Sequence, residues 1–232
     1  MKKLIMALVV LGAMTSCAKA RTHFITDQKL AEERRELKGF ERIVLSGSLD
    51  VKYRQGDNFS VVVKAPQKVI KNVETRVVGN CLTVNMKGIR SVFKFTSADA
   101  DDVTVYVTSP DFLGIELKGS GDFEGIGHID TDTLSIALKG SGDIDFDDVI
   151  CDKVSVSLVG SGDVEVKNVK TQLSDIELVG SGDVKMRFDN SGVVTSRLKG
   201  SGDITLTGRV KDHKSQVRGS GDINTQRLTI VK

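Results

Sequence analysis

From Phe40 onward, apolar and polar residues alternate. Ile43, Leu45, Leu49, Val51 and Tyr53 carry the apolar positions first. Val61, Val63, Val77, Leu82, Val84 and Met86 continue them, and Val103, Val105 and Val107 resume them. A period of two over four to eight residues marks strands with one buried face. Pro66 and Pro110, the chain's only prolines, stand where strand patterns stop, as a residue without a backbone N–H should. Helical spacing is weak throughout, so the pattern predicts an all-β protein.

The alternation then locks into a longer repeat. Gly-Ser-Gly-Asp begins at Gly119, Gly140, Gly160, Gly180, Gly200 and Gly219, at intervals of 21, 20, 20, 20 and 19 residues. Gly47-Ser48-Leu49-Asp50 is a degenerate relative. Aligned on the corners, the repeats show apolar columns. Phe123, Ile144, Val164, Val184, Ile204 and Ile223 follow each Asp, and Phe146, Val166, Met186 and Leu206 lie two further on. Leu117, Leu138, Leu158, Leu178, Leu198 and Val217 precede the corners by two residues. Ile115, Ile136, Val156, Ile176, Ser196 and Ser215 precede them by four. Each repeat therefore reads as two short strands flanking a glycine corner, with one buried face.

A single repeat cannot bury that face alone, so neighbours must stack. Like residue above like residue predicts in-register parallel stacking, a β-solenoid with coils of about 20 residues; a series of antiparallel hairpins is the rival. The serines at 196 and 215 make the last coil more polar, which blunts an open end.

Two readings are open for Asp122, Asp143, Asp163, Asp183, Asp203 and Asp222. In one, each accepts backbone N–H bonds and shapes the turn, as Asx-turns do. In the other, carboxylates stacked about 4.8 Å apart repel and take up calcium through oxygen ligands. Lys118, Lys139, Lys199 and Arg218 are placed to screen the row instead. The acidic stretch 97–102 lacks the glycine and distal glutamate of an EF-hand loop and reads as a solvated loop.

The N-terminus changes the compartment. Lys2 and Lys3 precede the apolar run Leu4 to Leu11, then small residues and Cys17. Such a run is too short to span a bilayer and reads as a secretory signal. Met14-Thr15-Ser16-Cys17 resembles a bacterial lipobox, which implies that residues 1–16 are removed and Cys17 carries lipid. Residues 17–38 then read as a polar tether with one helical turn, and 39–232 as the folded part. Ala18 does not resemble an inner-membrane retention signal, which favours the outer membrane. Ala18-Lys19-Ala20-Arg21 lacks the acidity expected of surface export. The mature chain balances 31 basic against 31 acidic residues, so it has no cationic footprint for nucleic acid. Its two remaining cysteines, Cys81 and Cys151, have no metal or redox spacing.

Little points to catalysis. His23, His128 and His213 are the only histidines, and neither a nucleophile elbow nor His-Glu-x-x-His occurs. Asp145, Asp147, Asp148 and Arg187 are the candidates for a group of the polysaccharide-active kind, whose carboxylates need set separations that the sequence does not give. No Trp is present, Tyr53 and Tyr106 are the only tyrosines, and Phe93 and Phe95 read as core. Any glycan contact is expected to be polar.

Gly39-Phe40-Glu41-Arg42-Ile43, Ser46-Gly47-Ser48-Leu49-Asp50-Val51, Gln55-Gly56-Asp57 and the Gly-Ser-Gly-Asp series together resemble the head-GIN-domain family, auto-transporter-type adhesins of Bacteroidota. The resemblance covers about residues 40–232. It implies a right-handed parallel β-helix, an envelope location and, by domain analogy only, adhesion. The expectation is a non-catalytic, lipid-anchored module that binds protein or glycan without a metal or other cofactor. A scaffolding lipoprotein is the second reading and a polysaccharide-active enzyme the third.

Overall fold

The protein is described by a computed structural model over residues 29–87 and 103–231. Residues 1–16, Cys17, His23, Phe93, Phe95 and the acidic stretch 97–102 lie outside these residues. Five long strands carry the repeats: β9 (Phe123–Gly140), β10 (Ile144–Gly160), β11 (Val164–Gly180), β12 (Val184–Gly200) and β13 (Ile204–Gly219). Each is one turn of a β-solenoid and pairs in parallel with the next. Ile144 lies opposite Val164, Leu158 opposite Leu178 and Gly160 opposite Gly180. In the complete coils the aligned columns face inward as expected: Ile144, Phe146, Val156 and Leu158 are all buried. In the last coil they fail at Ser215 and Val217, both exposed, because the strand that follows covers only the first half of β13.

The coil has three sides rather than two. In β10 a further pair, Val149 and Cys151, points into the core. Alternation breaks at Asp147-Asp148 and again at Asp152-Lys153, where two consecutive residues face out. Such a doublet reverses which parity faces inward; pairing with β11 skips Asp147-Asp148 and Asp152 and resumes in the same register beyond each bend. Ile129 and Val169 extend the extra column, as do Thr171 and Ser191 beside Cys151. The Thr171 hydroxyl lies 3.1 Å from the carbonyls of Asp152 and of Leu173 and has one hydrogen to share between them. Ser191 Oγ accepts the Thr171 N–H at 3.1 Å and reaches the Val169 carbonyl at 3.1 Å, so these inward polar groups are satisfied.

The head is built differently from a plain coil. β2 (Arg42–Gly47) and β3 (Asp50–Gln55) flank the degenerate corner and join the stack, β2 on β8 (Gly114–Gly119) and β3 on β9. Above β3 come β7 (Thr104–Ser109), then β4 (Ser60–Pro66) antiparallel to it, then β1 (Leu30–Arg35) antiparallel to β4. Above β2 come β6 (Cys81–Met86) and the antiparallel β5 (Val73–Val78). A 3-10 turn at Ile70–Asn72 links β4 to β5. β1 corrects the tether reading over residues 30–35, the part of 17–38 that it occupies. Its residues alternate between exposed and half-buried, Ala31 and, just beyond the strand, Leu37 pack against the core, and Glu32 reaches Lys64 at 3.4 Å. A short charged strand is a usual way to finish a sheet edge.

Aromatic rings fill the core beneath the head. Tyr53 stacks on Phe112 at 4.1 Å, Phe112 on Phe123 at 5.9 Å, and Phe123 tilts against Phe146 at 5.4 Å. Burial pushes the Tyr53 phenol up to about 12, and its oxygen sits 3.1 Å from Ser109 Oγ. At the other end β14 (Ile223–Ile230) pairs with the first half of β13. There Ser196, fully buried, bonds His213 Nε2 at 2.8 Å. Cys81 on β6 and Cys151 on β10 are separate free thiols, and burial raises the pKa of both.

Candidate functional site

Three outward features carry the chain's polar chemistry: the corner row, the face that follows it, and a groove at the second bend. At each corner the backbone is almost self-satisfied across coils. The Gly140 carbonyl accepts the N–H of Ser161 at 2.9 Å and of Gly162 at 3.3 Å, and the Asp183 carbonyl accepts the Val164 N–H at 2.9 Å. One donor is left over, the N–H of the corner aspartate, and the aspartate of the preceding coil supplies its acceptor. Oδ1 of Asp50, Asp122, Asp143, Asp163, Asp183 and Asp203 accepts the N–H of Asp122, Asp143, Asp163, Asp183, Asp203 and Asp222 in turn, at 2.9–3.2 Å. The bonds thus run between coils, not within a local Asx-turn. The ladder starts at Asp50, in the degenerate corner. Among the described residues, no group of three or more His, Cys, Asp or Glu is arranged to hold a metal ion.

The glycines make this closeness workable. Gly160 has φ +145, and a Cβ there would overlap the Gly140 carbonyl; a Cβ on Gly162 would overlap that of Gly142. Lys118, Lys139 and Lys199 do not screen the aspartates. Lys118 and Lys139 both clamp Glu116, at 2.9 and 3.0 Å, and Lys199 pairs with Glu177 at 2.7 Å. The lysines hold both glutamate carboxyls below their usual range.

Asp145, Asp147, Asp148 and Arg187 all lie on the face after the corner, but in separate networks. Asp147 accepts the Gly127 N–H at 2.9 Å and Lys167 Nζ at 2.8 Å. Asp148 bonds His128 Nδ1 and the Asn168 amide, both at 2.6 Å. These donors hold both carboxyls below the usual range. Arg187 makes one long contact, 3.4 Å to Asn168 Oδ1. Asp145 differs: burial first, then the neighbouring Glu165, raise its pKa.

The groove was not anticipated from the sequence. It has a volume of about 570 Å³ and follows the second bend across successive coils, over Asp130 and Asp132, Ile150 and Asp152, Lys170, Gln172 and Leu173, Asn190 and Val193, to Lys211. Ile150 is 38% and Leu173 52% exposed. The pairing register slips here between β11 and β12, and Asn190 takes a left-handed φ of 48°. That slip breaks the regular stacking of outward columns and helps hollow the ridge. The polar doublet Asp152-Lys153 was the one sequence signal for it.

The family model described as "Putative auto-transporter adhesin, head GIN domain" matches residues 39–174 and 160–232. No curated protein matches the chain in sequence. Solved structures share its shape. A "putative adhesin" from Bacteroides fragilis is 22% identical, covers 85% of this chain and 97% of its own, and superposes with a TM-score of 0.69. A "putative lipid binding protein" from Parabacteroides distasonis is 17% identical, covers 89% and 98%, and has a TM-score of 0.64. A "putative adhesin" from the same species is 18% identical over 85% and 97%, with a TM-score of 0.57. At such identities the likeness shows the fold, while the family match rests on the sequence itself. With the repeats, the corner ladder and that match in agreement, the chain belongs to the head-GIN-domain family.

Proposed function

We propose that this chain is a non-catalytic adhesin of the cell envelope, held to the outer membrane by lipid on Cys17 and binding through the groove at its second bend. The groove carries the reading: it spans several coils, mixes exposed Ile150 and Leu173 with carboxylates, amides and lysines, and is built on hydrogen-bonded strands rather than loops. Its size falls in the range of ligand sites. A rigid solenoid presents such a surface without an ordering penalty. The lining mixes apolar surface from Ile150, Leu173 and Val193 with carboxylates, amides and lysines, which suits a glycan or an extended peptide better than a bare acyl chain, the kind of ligand that the name of one structural neighbour brings to mind. The reading as a polysaccharide-active enzyme is weakened because Asp147 and Asp148 are both committed to cross-coil bonds.

A glycan and matrix-protein array probed with residues 22–232, with and without calcium, tests the reading. Binding to a defined class, abolished by Leu173→Asp, supports it. An array with no signal in either buffer overturns it. Calcium is included because the corner carboxylates form a continuous row. Labelling of intact cells separates adhesion from scaffolding, since a chain shielded from an impermeant reagent is no adhesin for external surfaces.

A further inference from the structure

On the face after the corner, bases and acids are distributed unevenly down the stack. In the earlier coils the bases meet carboxylates: Lys52 pairs with Glu124 at 2.6 Å and Lys167 with Asp147 at 2.8 Å. Further down, acids give way to threonines: Lys185 has Glu165 opposite it on the coil above, with no ion pair between them, and no acid on the coil below. Lys185 lies opposite Thr205, Arg187 opposite Thr207, and Thr207 opposite Arg227. Lys185 has only Asp183, at 3.9 Å, and Arg187 only its long contact to an amide. Arg227 makes no ion pair, and neither threonine hydroxyl makes a hydrogen bond among the described residues. Lys185, Arg187, Thr205 and Thr207 line a hollow of about 250 Å³, with Glu165 and Lys167 at its edge one coil above.

We infer that this hollow binds an oxyanion, a sulfate or carboxylate group, borne on an anionic polysaccharide. The geometry suits it. Neighbouring coils are about 4.8 Å apart and alternate residues on a strand about 6.6 Å apart. The two cations and two hydroxyls therefore frame the part of the hollow away from Glu165, and one oxyanion fits there, nearer to Arg187, Thr205 and Thr207 than to that carboxylate. A guanidinium supplies paired, charge-assisted donors, and the hydroxyls supply neutral ones. Arg227, two coils below Arg187, meets a second anion on the same polymer. A membrane surface fits less well. Interfacial binding needs apolar side chains to insert, and among the described residues no exposed large hydrophobic side chain lies on this patch. The inference extends the adhesin reading to a second surface, separate from the groove.

The test uses the purified mature chain and immobilised dextran sulfate at about 0.15 M salt, where long-range attraction is screened, with neutral dextran as reference. Dextran sulfate is expected to bind, neutral dextran not, and inorganic sulfate to compete better than chloride at equal ionic strength. Lys185→Gln combined with Arg187→Gln is expected to weaken binding about tenfold or more, given the strength of charge-assisted bonds. Lys153→Gln with Lys214→Gln removes the same charge elsewhere and is expected to change it less than about twofold. If the first pair lowers the melting temperature, Thr205→Val with Thr207→Val gives the same readout on the uncharged donors and is expected to weaken binding severalfold. Equal loss in the control pair, binding to phosphatidylserine vesicles but not dextran sulfate, or no binding at all overturns the inference. Leu173→Asp leaves dextran sulfate binding intact, so failure here and failure of the groove reading are distinguishable.

Discussion

Oδ1 of Asp163 accepts the backbone N–H of Asp183, one coil further on, at 2.9 Å. The corner leaves that N–H without a backbone acceptor, so an acceptor side chain is needed at 163, but a negative charge is not. Asp163→Ala is expected to lower stability by about 1–2 kcal/mol through the orphaned donor. Asp163→Asn keeps an acceptor oxygen and is expected to stay within about 0.5 kcal/mol. Urea unfolding of the two variants checks this; equal losses would mean that charge, not the bond, matters.

Gly162 lies against the Gly142 carbonyl with no room for a Cβ. Gly162→Ala therefore forces two coils apart and is expected to cost about 3 kcal/mol or more. Ser161→Ala, at the exposed corner position beside it, is expected to change stability by less than about 0.5 kcal/mol. Melting curves of both, recorded side by side, decide it.

Asp145 is raised by burial and by Glu165, with Asp143 and Glu124 adding to the repulsion. Its folded value lies above its unfolded one, so the charged form is the costly one. The penalty is fully present at neutral pH and disappears as pH falls below the ordinary value of 3.8. Asp145→Asn is expected to raise stability at pH 7 by about 0.5 kcal/mol, the size of a like-charge cross-strand term, and to give no gain near pH 3.

Burial lowers the pKa of His213, opposed by Asp212, and its Nε2 bonds the buried Ser196. Here the neutral form is favoured in the fold. The stabilisation is present above the ordinary value of 6.5 and is lost as pH drops through the lower folded value. Wild-type melting temperature is expected to fall between pH 7.5 and 5, and His213→Gln to flatten part of that slope. Parallel pH profiles for the two proteins would show it.

Much of the fold was legible because its signals are local. The period of two marks Ile43 to Tyr53 as strand, and the 20-residue interval by itself places Ile144 above Val164. The side at Val149 and Cys151 was hidden because it depends on Asp147-Asp148 and Asp152-Lys153 both facing out. A polar doublet reads equally well as the end of a strand. β1 was hidden for a related reason: Glu32 to Arg35 has no apolar alternation, and only pairing with β4 makes it a strand. Of the candidate sites, the corner row was visible but its bonding was not, and the groove was marked only by one doublet.

Residue order alone settled the all-β character, the coil length, the inward columns of the complete coils and the need for glycine at the corners. Each follows from spacing within one repeat or from comparison of successive repeats. Tertiary structure decided the rest. It chose which N–H each aspartate serves, where the third side bends, how antiparallel strands close the head, and which bases meet an acid. All of these join residues a full coil or more apart, such as Asp163 with Asp183 or Leu30 with Pro66. Such partners are set by how the coils register on one another, and no local pattern encodes that register.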